Sequence, residues 1–201
     1  MAYSNFTLDT AVEAFDLEEV NAAGIFADNK PMAPSELLTS VLARNIPLAL
    51  AVGTEKVKSE LIVANVLVEL REQLEHRISF FSGIEFNVDA DASLTGVCDF
   101  VVSLSPRQFS LKAPIILLVE AKKDDLLVGL GQCVAEMVAA QRFNAEEEND
   151  IACIYGAVTS GIDWLFLKLE KKKLYIDMAA YQISQCDTIL GILASMVAQK
   201  A

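Results

Sequence analysis

The spacing of apolar positions divides the chain into recognisable pieces. The longest helical pattern covers residues 54–75. There Val57, Leu61, Ala64 and Val68, with Leu67, Leu70 and Leu74, recur at helical spacing behind Thr54, a good N-cap. A shorter pattern through Leu37, Leu38, Val41 and Leu42 predicts a helix capped by Ser35. It should stop by about Asn45, because Pro47 follows. From residue 78 the period changes. Residues 78–87 and 96–104 read as strands, joined by turn-forming residues 89–95. In the second of them Val97, Asp99 and Val101 share one face, and Cys98, Phe100 and Val102 the other. Residues 115–119 are an unbroken apolar run that fits a strand buried on both faces. Asp124 and Asp125 are good N-caps for a helix over residues 125–143. Gly129 and Gly131 weaken that helix and predict a close approach to the sheet. A charged loop at residues 145–150, a strand over 151–159, a hairpin of 164–170 with 174–178, and a helix from about Asp187 complete the body. Ahead of it, Leu8, Val12, Phe15 and Val20 predict short helical turns. The order predicts an α/β fold, a mixed α+β sheet with helices packed on it. Residues 1–34 are expected as an acidic extension docked on a single domain of residues 35–201.

Composition narrows the picture. At 201 residues the chain suffices for one domain with a sizeable core. Its hydrophobic fraction is 53%, but the apolar runs are far too short for a bilayer, and residues 1–10 carry no secretory pattern. The four cysteines are widely spaced without a CxxC pair and read as reduced core residues of a cytoplasmic protein. With His76 as the single histidine, a multi-histidine metal site is excluded and a Ser-His-Asp triad is disfavoured. His76 reads as a residue closing its helix. The net charge of −12 opposes loose binding to nucleic acid, which needs lysine and arginine against phosphates. About half of that charge lies before residue 37, where Asp9, Glu13, Asp16, Glu18, Glu19, Asp28 and Glu36 face Lys30 alone. Lys168 and Lys171–Lys173 form the one dense basic patch and read as a solvated hairpin tip, and Trp164 as core.

The candidate chemistry sits at the end of the apolar run, in Glu120-Ala121-Lys122. Side chains alternate along a strand, so Glu120 and Lys122 project together. Burying such charges is costly unless they pair, hold a metal or reach solvent in a cleft. Asp99 on the preceding strand, Glu60 on the long helix and Gln132 on the following helix complete a set of polar candidates. Asp99 and Glu120 suit a hard cation such as Mg²⁺, and Lys122 would meet a phosphate oxygen or an attacking water.

This arrangement resembles the PD-(D/E)xK nuclease superfamily, and in style the nuclease domains of type I restriction enzymes. The resemblance covers roughly residues 55–175. It implies a restriction-endonuclease-like core, Asp99 and Glu120 as metal-binding acids and Lys122 as the catalytic lysine. Glu60 becomes the frequent first-helix glutamate and a third metal-side acid, and Gln132 the second-helix glutamine seen in several branches. The segment GAVTSGIDWLFLKL also looks like the strand and hairpin that follow the core in type I-like members. Cys98 stands where the family pattern has proline, and residues 1–34 match nothing in the usual domains. The implied function is Mg²⁺-dependent (or Mn²⁺-dependent) hydrolysis of nucleic acid, DNA in the first place. The alternative is a non-catalytic protein of the same fold, working through protein contacts as a homodimer or within a larger complex. The acidic charge and the lead segment favour that alternative. The intact Asp–Glu–Lys set favours the enzyme.

Overall fold

The computed structural model describes residues 2–149 and 151–198. Asp150 of the expected acidic loop, residue 1 and residues 199–201 lie outside the described residues. The fold is mixed α/β. Strands β1 (Glu18–Ala22), β2 (Ser79–Glu85), β3 (Val97–Ser103), β4 (Ile115–Ala121), β5 (Ile154–Thr159), β6 (Asp163–Glu170) and β7 (Lys173–Asp177) form one sheet in the order β1-β7-β6-β5-β4-β3-β2. A two-residue strand β8 (Tyr181–Gln182) adds to β6. The pairs β2–β3, β3–β4, β5–β6 and β6–β7 are antiparallel, whereas β4–β5 and β1–β7 are parallel. A parallel pair needs a crossover, and α5 (Leu127–Glu146) supplies it between β4 and β5. Every residue of β4 is buried, as its unbroken apolar run requires of an interior strand.

Each face of the sheet carries its own core. One holds α2 (Glu36–Val52), α4 (Ala64–Gln73) and α6 (Cys186–Val197) over Phe100, Val119, Trp164 and Phe166. The other packs α5 and the N-terminal residues over Cys98, Leu118, Val158 and Leu167. Trp164 is core, as expected. Among the described residues, no helix is long and apolar enough to cross a membrane.

Several local expectations change. The helix capped by Ser35 does not end near Pro47: α2 continues to Val52 and closes on Gly53 in the left-handed region. Pro47 strips the hydrogen bond from the carbonyl of Ala43, but both residues are exposed, so the lost bond falls on the solvent side of α2 while Leu42 and Ala49 stay buried. The 54–75 helix is present but interrupted. After α3 (Glu55–Lys58) a π-helical segment, Ser59–Val63, leads into α4. Side-chain amides occupy the carbonyls there: Asn45 and Asn65 both donate to the Leu61 oxygen, at 2.9 and 3.0 Å. Neither Asp124 nor Asp125 is the N-cap of α5. Lys58 binds Asp124, and Asp125 accepts from the Leu127 amide at 3.0 Å just outside the helix.

The lead segment does more than form helical turns. Besides α1 (Leu8–Phe15) it contributes β1, an edge strand whose amides pair with β7. A Cβ on Gly131 would collide with the backbone of Phe6 and Thr7, so this glycine admits the N-terminal segment and not the sheet. Gly129 does meet the sheet: its Cβ would lie 2.7 Å from Val158 and 2.9 Å from the Lys122 side chain. The Lys171–Lys173 tip is partly engaged, since the Lys172 ammonium bonds the Phe15 carbonyl at the end of α1.

Candidate active site

β3 and β4 stay paired up to Phe100 opposite Val119 and then part. Beyond that point the Ala121 amide donates to the Asp99 carboxylate, at 2.8 Å, where a strand partner would otherwise accept. On its other side β4 continues, with the Lys122 amide bonded to the Thr159 carbonyl at 2.8 Å. The chain end carrying Glu120 and Lys122 is thus held from both flanks, by a side-chain carboxylate on one and a backbone carbonyl on the other. The expected alternation in β3 is broken at Asp99. Cys98 packs with Val101 on the α5 side, while Phe100 and Val102 face the other core. Gly83, at φ +60°, falls in the gap between the Ser82–Phe100 and Ile84–Cys98 partners, and its left-handed backbone breaks the pleat opposite Asp99.

Glu120 is 2% exposed. The Lys122 ammonium bonds its Oε1, and its Oε2 has no hydrogen-bond partner. Lys122 also donates to Gln132 Oε1 at 3.3 Å, and Gln132 Nε2 donates to Glu136 Oε1 at 3.1 Å. Asp99, Glu120, Lys122 and Gln132 are therefore brought together. Glu60 stands apart. It lines a cavity of about 200 Å³ with Glu55, Ser59, Ser82 and Asp99, but its carboxylate pairs with Lys56 at 3.2 Å and is largely solvated.

Electrostatics follow from this packing. Burial, then the Asp99 charge, push the Glu120 carboxyl up to about 8, against the pull of Lys122. Asp99 is raised by burial, partly offset by the Ala121 amide and Lys122. Burial pulls Lys122 down, but Glu120 and the charges of Glu55 and Asp99 outweigh it and hold the ammonium above its usual range.

Three residues outside the sequence motif also reach this end of the sheet. Glu136 is completely buried in α5, and burial, then the Glu120 charge, raise its carboxyl well above normal. Its signal was a lone acid inside the apolar run GLGQCVAEMVAA. Lys58 is 6% exposed and donates to the Lys123 carbonyl at 2.6 Å and to Asp124 at 3.0 Å, pinning the turn directly after Lys122. Nothing in its helical pattern distinguished it from a surface lysine. Glu55 opens α3 and adds its charge to the field at both Glu120 and Lys122.

The donor set suits a hard, water-rich cation. Among the described residues no three histidine, cysteine or carboxylate groups form a ready cage. Mg²⁺ takes one or two carboxylates and keeps several waters, and the groups that could hold it are Asp99 and the Glu120 oxygen without a partner. The chain matches no protein-family model, and no curated protein is similar to it at a significant level.

Proposed function

We propose that the protein is a Mg²⁺- or Mn²⁺-dependent nuclease with a restriction-endonuclease-like core, hydrolysing phosphodiester bonds of DNA in the first place. One observation carries the reading. At the end of an interior strand, a buried carboxylate with an unused oxygen stands beside an ammonium group, with a second carboxylate supplied by the neighbouring strand. The order around it, an antiparallel β2–β3–β4 meander followed by α5 and the parallel strand β5, supports the likeness.

Asp99 and Glu120 are the residues that would hold the ion, whose chemistry there is to polarise a phosphodiester and ease ionisation of water. Lys122 is partly exposed, at 19% of its side chain, and can donate to a phosphate oxygen as charge develops on it. To do so it exchanges part of its contact with Glu120, while Gln132 keeps the ammonium from swinging away. Lys58 holds the following turn and so fixes the direction from which Lys122 enters. Lys56 and Lys123 are exposed at the same end of the sheet, among the acids Glu55, Glu60, Asp124 and Asp125, so a bound cation would have to offset the local negative charge before nucleic acid approaches.

The test is incubation of the folded protein with duplex DNA, single-stranded DNA and RNA in Mg²⁺ or Mn²⁺. Cleavage that disappears in Asp99→Asn and Glu120→Gln is the expected result. A folded parent that cleaves none of these substrates overturns the reading. One observation favours the alternative, a non-catalytic protein working through protein contacts: the Lys122–Glu120 ion pair already satisfies both charges in part, as a structural pair would.

A further inference from the structure

Glu136 has 0% exposure and lies on α5, on which Cys133, Val134, Met137 and Ala140 are also buried. Taking a carboxyl out of water costs several kcal/mol unless hydrogen bonds replace the lost solvent. Two other buried acids, Glu69 and Asp177, are repaid in full. Asp177 accepts from the Gly24 and Ala179 amides on one oxygen, and from the Phe26 amide and the Tyr181 hydroxyl on the other. Glu136 is repaid in part only: Oε1 receives Gln132 Nε2, and Oε2 has no hydrogen-bond partner. As a packing residue it is a poor choice, and an apolar side chain of similar size would serve the core better.

Its bond to Gln132, made beside a weaker interaction with the Cys98 thiol, has a directional consequence. A glutamine amide has a donor end and an acceptor end, and Gln132 lies between Lys122 and Glu136. With Nε2 drawn to Glu136, Oε1 must face the Lys122 ammonium, at 3.3 Å. The reversed amide would set its NH₂ group against that ammonium. Gly129 completes the arrangement, because a side chain there would displace the Lys122 stem.

We infer that Glu136 is a positioning residue, which orients the Gln132 amide so that its oxygen holds the Lys122 ammonium in place beside Glu120. The consequence for cleavage rests on the nuclease reading, whereas the orientation of Lys122 does not. Glu136 touches no reacting atom and acts through Gln132.

A double-mutant cycle with two readouts tests this. The variants are Glu136→Leu, Glu136→Gln, Gln132→Leu and the Gln132→Leu/Glu136→Leu pair. The first readout is the rate at which acetic anhydride acylates Lys122, followed by peptide mass spectrometry. The second is kcat and KM for Mg²⁺-dependent cleavage of duplex DNA. Acylation of Lys122 should be severalfold faster in Glu136→Leu and close to the parent rate in Glu136→Gln, which keeps an acceptor for Gln132. In the Gln132→Leu background, Glu136→Leu should add nothing. The same pattern is expected in kcat, with a loss of about 10-fold or more in Glu136→Leu, KM nearly unchanged, and recovery in Glu136→Gln. If no protein cleaves DNA, the nuclease reading falls and the acylation cycle alone decides the inference. Equal acylation of parent and Glu136→Leu overturns it. So does an effect of Glu136→Leu that persists without Gln132. Glu136→Met replaces the leucine variant if that one does not fold. Should both unfold, Glu136 is a structural residue and the inference falls.

Discussion

Glu69 and Glu120 are both nearly removed from solvent, at 7% and 2% exposure, but their surroundings treat them in opposite ways. Glu69, on α4, receives the Ser35 amide at 2.7 Å, the Ser35 hydroxyl at 2.8 Å and the Gln73 amide at 2.6 Å. Burial pushes its carboxyl up, and these donors outweigh burial and hold it below its usual value. Ser35 also caps α2 through the Leu38 amide, so Glu69 ties the start of one helix to the side of another. Glu120 has one ammonium partner, a free oxygen and a second carboxylate nearby, and its carboxyl is raised. The first environment is built for an anion that stays, the second for a carboxyl that keeps its proton until a further positive charge arrives. Burial alone therefore does not distinguish a structural acid from a functional one. Completeness of the donor shell does.

The largest expected effect separates chemistry from stability. Lys122→Ala should lower the rate of Mg²⁺-dependent DNA cleavage by about 10²–10³-fold, the scale on which a group stabilising developing charge acts. Steady-state kinetics beside a chemical-denaturation curve measure this. A variant that cleaves like the parent would remove Lys122 from the reaction.

Next is the contrast in stability. Glu69→Leu strands the donors of Ser35 and Gln73 and should cost about 2–4 kcal/mol, since each buried donor left unpaired costs about 1–3 kcal/mol. Glu120→Gln relieves a crowded carboxylate and should stay within about 1 kcal/mol of the parent, or exceed it. Urea unfolding of both variants at neutral pH checks the pair. Equal losses would erase the distinction.

The pH dependence should also run in opposite directions. The folded protein holds the Glu120 proton up to about 8, against a usual value of 4.5, so the native state binds the extra proton. Its contribution to stability is complete below the unfolded value and is lost as pH rises through about 8. Glu120→Gln should therefore gain on the parent between pH 5 and 8, by at most about 1.4 kcal/mol per pH unit, and level off above. Glu69 has a lowered folded value, so its contribution is present above the unfolded value and is lost on acidification. The gap between the parent and Glu69→Leu should narrow below about pH 4.5, a usual carboxyl value. Unfolding curves across this range would expose a wrong sign at either residue.

The smallest effect is from the metal. Mg²⁺ or Mn²⁺ at about ten times Kd should add about 1.4 kcal/mol to stability by mass action. Asp99→Asn should abolish that gain without touching the Glu69 knot. A melting temperature indifferent to either ion would count against the site.

The sequence made the strand-end site legible because a charged pair closing an apolar run is conspicuous in one dimension. The β2–β3–β4 meander, α5 and the later hairpin also followed from period and turns, with ends shifted by a few residues. What stayed hidden depended on partners distant in sequence. β1 is a strand because β7 lies beside it, and nothing in residues 18–22 announces that partner. Gly131 reads as a weak helical position until Phe6 and Thr7 fill the space above it. Lys58 and Glu69 look like ordinary solvated charges on a helix until Lys123, Asp124 and Ser35 reach them. Pro47 read as a stop because sequence alone did not reveal that Ala43 faces water.

The parallel pairing of β1 with β7 joins residues near 20 to residues near 175. During synthesis the first partner leaves the ribosome roughly 150 residues ahead of the second, which at about 5–20 residues per second is a wait of roughly 8–30 s. For most of that interval Phe6, Phe15 and the other apolar residues of the lead segment have neither α5 nor β7 to cover them, α5 being the earlier of the two to emerge. The acids of the segment, Asp9, Glu13, Asp16, Glu18 and Glu19, keep the waiting stretch hydrated and mutually repelling. Its negative charge then has a use on the nascent chain that is separate from any partner of the finished fold. When β7 emerges, β1 covers it and becomes the sheet edge in its place, a short strand whose charged Glu18 and Glu19 discourage pairing with a neighbouring molecule.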